Sequence, residues 1–79
     1  MKYVYILESV SNPERFYTGL TKDIEARLKK HNEGSVRSTA SDKPWRVKTY
    51  LAFSNDDRAV AFEVYLKSGS GRAFAKKRL

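Results

Sequence analysis

The run from Tyr3 to Leu7 most constrains the fold, because its residues favour strands and are apolar on both alternating faces. Such a run predicts the central strand of a sheet. Two more strands are predicted, over Arg15–Leu20, which would pair with the first as a hairpin, and over Trp45–Phe53. In the third strand, alternation places five side chains on one face: Trp45, Val47, Thr49, Leu51 and Phe53.

Helices are predicted in the remaining segments from their capping residues and glycine stops. The first helix is expected to have Thr21 as its N-cap and to stop at Gly34. Asn55 caps a second helix over residues 56–67, and a short basic third helix extends from residue 70 or 71 to 78. The order β-β-α-β-α-α predicts an α+β fold in which helices flank a three-stranded antiparallel sheet.

Length and composition exclude several classes of protein. A chain of 79 residues makes a single domain, 1–79, with a thin core. Without cysteine it has neither disulfides nor thiolate metal ligands, and its single histidine, His31, excludes zinc sites built from several histidines. No apolar run approaches the roughly 18 residues that a membrane span requires. We therefore expect an intracellular, cytoplasmic protein with no membrane partner.

Sixteen basic residues against nine acidic ones give a net charge of +7, and they concentrate in two segments. Residues 34–48 carry +3 and residues 67–79 carry +5. This distribution predicts a polyanionic partner, most often a nucleic acid, whereas the alternative is a solvated basic surface. The predicted nucleic-acid contacts are Arg37, Lys43, Arg46, Lys67, Arg72, Lys76, Lys77 and Arg78.

Two polar side chains interrupt the apolar stripe of the first helix. At 100° per residue, Arg27 and His31 fall on the same face as Ile24 and Leu28. A charge that is buried without a partner is costly. Either Arg27 extends its charge to the edge of the core while His31 bonds to backbone, or this helix is the floor of a cleft that faces an anion.

A single carboxylate on the second helix is a further candidate. Glu63 lies at the border of the buried face and is the only acidic residue beyond Asp57. An acidic side chain surrounded by basic residues suggests a site for a cation, which would bind this carboxylate and a phosphate group. The alternative is a surface pair with Lys67, four residues further on, worth about 0.3–0.5 kcal/mol.

Aromatic residues and one glycine mark the first two strands. Tyr5 shares a strand face with Tyr3, and Tyr17 shares one with Gly19. Aromatic residues on a small sheet are usually core. Gly19 is unusual, because glycine weakens a strand interior and often marks the close approach of a ligand or of backbone.

These residues together resemble the GIY-YIG nuclease superfamily over the whole chain. The first signature corresponds to Tyr3-Val4-Tyr5, with Tyr for the leading Gly, and the second to Tyr17-Thr18-Gly19, with Thr for Ile. Eleven residues separate Tyr5 from Tyr17, which is a usual spacing in the family. The rest of the constellation follows in order: Arg27, His31-Asn32 and Glu63. Small stand-alone bacterial members look closest, with similar Ser38-Thr39, Pro44-Trp45 and Leu66-Lys67-Ser68-Gly69 segments.

The resemblance implies a role for each matched residue. Tyr5 and Tyr17 would line the catalytic face of the sheet, and Arg27 would hold the scissile phosphate. His31 would assist the nucleophile or a phosphate oxygen, and it competes with Tyr5 for the role of general base. Glu63 would be the single protein ligand of a divalent cation, Mg²⁺ or Mn²⁺.

One departure from the family pattern concerns the end of the chain. Many catalytic members carry a supporting Asn there, and this sequence has none beyond Glu63, so either Lys67 replaces it or the site is weaker. The predicted function is a metal-dependent endonuclease that hydrolyses DNA phosphodiester bonds in repair or processing. The alternatives are a non-catalytic nucleic-acid-binding module and a subunit whose protein partner supplies specificity.

Overall fold

The computed structural model describes residues 1–79 and contains one antiparallel sheet of three strands. The strands are β1, Lys2–Ser9; β2, Phe16–Thr21; and β3, Trp45–Phe53. Their spatial order is β2-β1-β3, so β1 carries a neighbour along both edges. The central position predicted for the first strand is confirmed, as is the hairpin, in which Tyr5 lies opposite Gly19.

A β-bulge at Lys48 divides β3 between the two faces of the sheet. Ile6 lies opposite Thr49, but Leu7 lies opposite Val47, so Lys48 has no partner in β1. The prediction that all alternate residues of β3 share one face is therefore wrong, because the extra residue shifts the alternation.

Helices cover both faces of the sheet. They are α1, Ile24–Asn32; α2, Asp56–Lys67; and α3, Gly69–Arg78, with a short 3₁₀ turn at Ala40–Asp42 before β3. The N-cap of α1 is Asp23, whose carboxylate accepts a hydrogen bond from the amide of Ala26 at 3.1 Å. The predicted cap at Thr21 is wrong, because this residue ends β2 and its hydroxyl accepts from the amide of Asp23 at 3.1 Å. Gly34, with φ of 81°, follows the end of α1.

A single residue, Ser68, separates α2 from α3. Its hydroxyl accepts a hydrogen bond from the amide of Gly71 at 3.1 Å and caps α3, which begins at Gly69 rather than at residue 70 or 71. Asn55 caps α2 as predicted, accepting from the amide of Arg58 at 3.0 Å. No helix has the length and apolar character needed to cross a bilayer.

Two apolar clusters lie on opposite sides of the sheet. Under α2 and α3, the buried cluster consists of Val4, Ile6, Ala59 and Leu66. Under α1, it consists of Tyr5, Leu7 and Trp45. Because β1 contributes alternate residues to both clusters, its side chains determine what each face of the sheet contacts. Phe53, beyond the bulge, packs on the first cluster, whereas Val47 packs on the second.

The close packing of α3 against the end of α2 depends on glycine at position 71. A β-carbon on Gly71 would overlap the backbone of Tyr65 and Leu66, whereas one on Gly69 would meet nothing within 4 Å. Gly71→Ala should therefore lower the free energy of unfolding by about 1–3 kcal/mol, the usual cost of overpacking. The matched control, Gly69→Ala, should be neutral or slightly stabilising. Thermal unfolding followed by circular dichroism compares them, and equal melting temperatures would contradict this contact.

Candidate active site

Tyr5 occupies the centre of the candidate site, on the side of the sheet that faces α1, and is 1% exposed. Its ring lies over Gly19, the residue opposite it in β2. A β-carbon at position 19 would overlap the ring and hydroxyl of Tyr5, so only glycine leaves enough room. The close approach expected at Gly19 is therefore made by a side chain of β1, and not by a ligand or by backbone.

A chain of hydrogen bonds runs from Arg27 in α1 to the loop that follows this helix. Arg27 Nε donates to Tyr5 Oη at 3.4 Å, and Tyr5 Oη lies 3.0 Å from His31 Nε2. His31 Nδ1 lies 2.7 Å from Thr39 Oγ1, whose hydroxyl donates to the carbonyl of Val36 at 3.2 Å. Because that hydroxyl proton is already used, Nδ1 donates to Thr39, and Nε2 accepts the phenol proton of Tyr5.

Burial keeps both members of the Tyr5–His31 pair neutral. It raises the pKa of Tyr5, and the hydrogen bond from Arg27 opposes this effect only in part. Burial, followed by the charge of Arg27, lowers the pKa of His31. At neutral pH the site therefore contains a neutral phenol whose proton is directed at a neutral imidazole.

Arg27 is half-buried and has no carboxylate partner. Its hydrogen bond to Tyr5, with a smaller effect from Tyr17, raises the pKa of Arg27, so the guanidinium stays charged. The guanidinium of Arg27 therefore keeps donors available for an incoming anion.

His31 does not form a hydrogen bond to backbone, since both of its ring nitrogens bond to side chains.

Tyr17 joins the cluster through its ring, whose centroid lies 4.8 Å from that of His31 and 6.2 Å from that of Tyr5. Four of the five residues predicted to be catalytic thus lie together. They come from β1, β2 and α1, and the hairpin register together with the helical angle brings them to one place.

Glu63, the fifth residue, forms an ion pair with Lys67 in the same helix, with 2.6 Å between Oε2 and Nζ. This is the alternative that the sequence left open. The hydrogen bond from Lys67 to this carboxylate raises the pKa of Lys67. The pair lies near the tyrosine cluster, since Lys67 and Tyr17 line the same groove, and the charge of Lys67 weakly opposes the rise in the pKa of Tyr5.

The surroundings of Glu63 are compatible with a divalent ion that also binds substrate. The side chain is 16% exposed, so it lies at the protein surface. No group of three or more acidic or histidine side chains forms a complete metal site within the protein. Mg²⁺ commonly keeps several waters and takes one or two carboxylates together with substrate phosphate, so Glu63 suits such an ion once Lys67 moves away.

Three further residues position His31, and none of them was assigned a role from the sequence: Asn32, Thr39 and Trp45. Asn32 Nδ2 donates to the carbonyl of Trp45 at 3.0 Å, and Asn32 Oδ1 accepts from the amide of Trp45 at 2.5 Å. Trp45 Nε1 donates to the carbonyl of Thr39 at 2.8 Å, which fixes the Thr39 hydroxyl beside the imidazole. A signal was present, since Ser38-Thr39 and Pro44-Trp45 are among the segments that carry the family resemblance.

The basic residues predicted to contact nucleic acid fall into three groups. Arg46 pairs with Glu8 at 3.1 Å, and Lys67 is paired as described above. Arg72 and Lys76 lie one turn apart on α3 and line a groove with Lys67. The others are exposed and form no ion pair: Arg37, Lys43, Lys77 and Arg78.

The chain is similar in sequence and in fold to known proteins. The family model described as the GIY-YIG catalytic domain matches residues 1–78. UPF0213 protein BH0048 of Halalkalibacterium halodurans is 37% identical over 71 residues, which cover 89% of this chain and 73% of that protein. The solution NMR structure of UPF0213 protein BH0048 from Bacillus halodurans matches with a TM-score of 0.57 and 32% identity, over 98% of this chain and 84% of that chain.

A much longer relative shares the same region. The structure-specific endonuclease subunit SLX1 homolog of Giardia intestinalis is 34% identical over 65 residues, which cover 77% of this chain and 18% of that protein. The fold, together with the family match and this relative, places the chain in a class of nuclease domains. The chain belongs to the GIY-YIG family, and the resemblance found in its sequence is confirmed.

His31 should make the stability of the protein depend on pH. Its pKa is lowered in the folded protein, so protonation favours the unfolded chain, in which histidine titrates near pH ~6.5. The free energy of unfolding should be constant above pH ~7 and should fall as the pH drops below ~6.5, until the lower folded pKa is reached. Urea unfolding at each pH measures this dependence.

The control for this pH profile is His31→Gln, which removes the only histidine of the chain. Its stability should not change between pH ~7.5 and ~5.5, because no other side chain is expected to titrate there. A flat profile in the parent protein would contradict a buried, neutral His31.

Proposed function

We propose that the protein is a metal-dependent endonuclease that hydrolyses phosphodiester bonds of DNA, with a role in DNA repair or processing. The observation that carries the proposal is the guanidinium of Arg27, held beside the phenol of Tyr5 with no carboxylate to neutralise it. A phosphate group offers the paired oxygen acceptors that a guanidinium binds. The Giardia relative, named as an endonuclease subunit, supports the same activity.

Tyr5 and His31 form the proton path of the proposed reaction. As water attacks the phosphorus, its proton passes to Tyr5 Oη while the phenol proton passes to His31 Nε2, 3.0 Å away. The new P–O bond forms, the bond to the leaving oxygen breaks, and the leaving oxygen takes a proton from solvent. The imidazolium keeps its Nδ1 hydrogen bond to Thr39.

Arg27 has two effects in this scheme. Its Nε donates to Tyr5 Oη at 3.4 Å, which makes the phenol a stronger proton donor to His31 as the proton of the water arrives. Its remaining donors stabilise the equatorial oxygens of the phosphate in the transition state. Both effects are stronger in the transition state than in the free protein, as catalysis requires.

Glu63 would hold Mg²⁺ or Mn²⁺, which supplies charge neutralisation at the phosphate and lowers the pKa of a bound water. In the free protein Lys67 occupies this carboxylate, so the ammonium has to move before an ion binds. The DNA phosphate gives Lys67 another anionic partner. Lys67 would then take the place of the supporting Asn that many catalytic relatives carry.

A second candidate function is a non-catalytic nucleic-acid-binding module. The Glu63–Lys67 ion pair favours it, because a carboxylate that is already neutralised within its helix has less need of a metal. The two functions are distinguished by incubating the protein with branched, nicked and linear DNA in Mg²⁺, Mn²⁺ or EDTA. Cleavage that requires a divalent ion supports the nuclease, whereas binding without cleavage of any substrate supports the module.

Glu63→Gln should reduce cleavage to background while leaving the fold and most DNA binding intact, because a neutral amide is a poor ligand for Mg²⁺. The matched control is Glu25→Gln, which removes the same charge from an exposed position of α1. Cleavage rates in Mg²⁺ and DNA affinity in EDTA are measured for both variants. An active Glu63→Gln protein would remove the metal-binding role from this residue.

Arg27→Ala should remove activity with little change in melting temperature, because its one long hydrogen bond contributes little to folding. Arg27→Lys should recover only part of the activity, since an ammonium lacks the forked donors of a guanidinium. Arg58→Ala, at an exposed position of α2, is the control and should change neither property. The role is refuted if the melting temperature of Arg27→Ala collapses while the protein that remains folded turns over normally.

A further inference from the structure

A groove of about 580 Å³ opens beside the candidate active site, where the edge strand β2 faces α2 and α3. Its apolar floor includes Ile6, Leu66 and Ala75. Its cationic lining residues are Lys48, Lys67, Arg72 and Lys76, and no carboxylate lines it. Tyr17 and Lys67 line the groove, Tyr17 also contacts His31, and Lys67 also pairs with Glu63, so the groove adjoins the candidate active site.

Phe16, the first residue of β2, lies in this groove and is 52% exposed. The Nζ atom of Lys48 is 4.9 Å from the centroid of its ring. Phe16 belongs to neither apolar cluster, so the core does not account for an aromatic residue at this position. Unlike Tyr50, which is similarly exposed on the other edge strand, Phe16 lies among the cationic residues of the groove, where its ring is available to stack on a ligand.

An aromatic ring surrounded by cations matches the chemistry of an unpaired nucleotide. A free base stacks on an aromatic side chain, and its phosphates bind ammonium and guanidinium groups. In a continuous duplex each base face is covered by its neighbours, so only the phosphates are available to such a groove. The volume of the groove falls within the range of pockets that enclose small organic ligands, so a single nucleotide can enter.

We propose that this groove is a subsite for an unpaired nucleotide next to the scissile phosphate, with the base stacked on Phe16 and a phosphate held by Arg72 and Lys76. The proposal rests on the proposed endonuclease function and specifies its substrate as DNA with a single-stranded segment beside the cleaved bond. Lys48, which covers the ring in the free protein, pairs with a second phosphate when the base arrives.

The test measures binding without cleavage, using the full chain in EDTA and fluorescence anisotropy. One probe is a duplex with a single-stranded overhang, and the other is a blunt duplex that contains the same base pairs. Phe16→Ala should weaken binding of the overhang probe by about tenfold or more, while binding of the blunt probe changes less than about twofold. Phe16→Trp should retain the affinity for the overhang, because an indole also stacks on a base.

Tyr50→Ala is the matched control, since Tyr50 is a similarly exposed aromatic residue on the other edge strand, outside the groove. It should affect neither probe. Equal losses for the overhang and blunt probes in Phe16→Ala, or no loss for either, would overturn the proposal. The proposal would also be overturned if a polyglutamate peptide displaced the overhang probe as well as a single-stranded oligonucleotide does, because the groove would then bind acidic protein.

These results are separable from the proposed function. Metal-dependent cleavage of overhang DNA that Phe16→Ala leaves unchanged would overturn the subsite while leaving the endonuclease in place. Selective loss of overhang binding in EDTA, together with no cleavage of any substrate, would support the subsite and reject the endonuclease.

Discussion

The hydrogen bond between Tyr5 and His31 fixes the sheet, the first helix and the following loop in one arrangement. Both side chains are buried, so losing either partner would leave an unsatisfied polar atom in apolar surroundings. Gly19 makes room for the phenol, and Thr39 orients the imidazole. Arg27 lies one turn before His31 on the same helix, so this bond also determines where the guanidinium meets the phenol.

The elements of the fold were predictable because periodicity and capping are local properties of the chain. The strands and the cap at Asn55 lie where the sequence places them. The incorrect predictions concern features that depend on contacts with segments distant in the sequence. The bulge at Lys48 is imposed by pairing with β1, and the regular alternation of β3 gives no sign of it. Threonine and aspartate are both favourable N-cap residues, so whether Thr21 or Asp23 caps α1 depends on where β2 ends.

The candidate site was predictable only for side chains whose direction follows from a helical angle or a strand register. The angle of α1 alone places Arg27 and His31 towards the sheet, and the structure brings them to the tyrosines. Thr39 reaches His31 from a loop without periodicity, so only the family resemblance of the Ser38-Thr39 segment, and no helical or strand pattern, pointed to this residue. The sequence could not decide the role of Glu63. A glutamate at the border of the helix, four residues before Lys67, can either pair with that lysine or bind a metal ion. The structure shows the ion pair.

The bulge in β3 also limits where this chain tolerates insertions and deletions. It lets one strand supply Trp45 to the cluster under α1 and Phe53 to the packing under α2 and α3. Deleting Lys48 itself would leave every other residue of β3 opposite its present partner, whereas deleting a residue elsewhere in the strand would turn the residues between that position and the bulge onto the wrong face. The length of β3 is therefore constrained everywhere except at the bulge, whereas the exposed turn at residues 10–15 carries no such requirement. Among GIY-YIG relatives of this size, we expect differences in length to occur in that turn or at the bulge, and not elsewhere within β3.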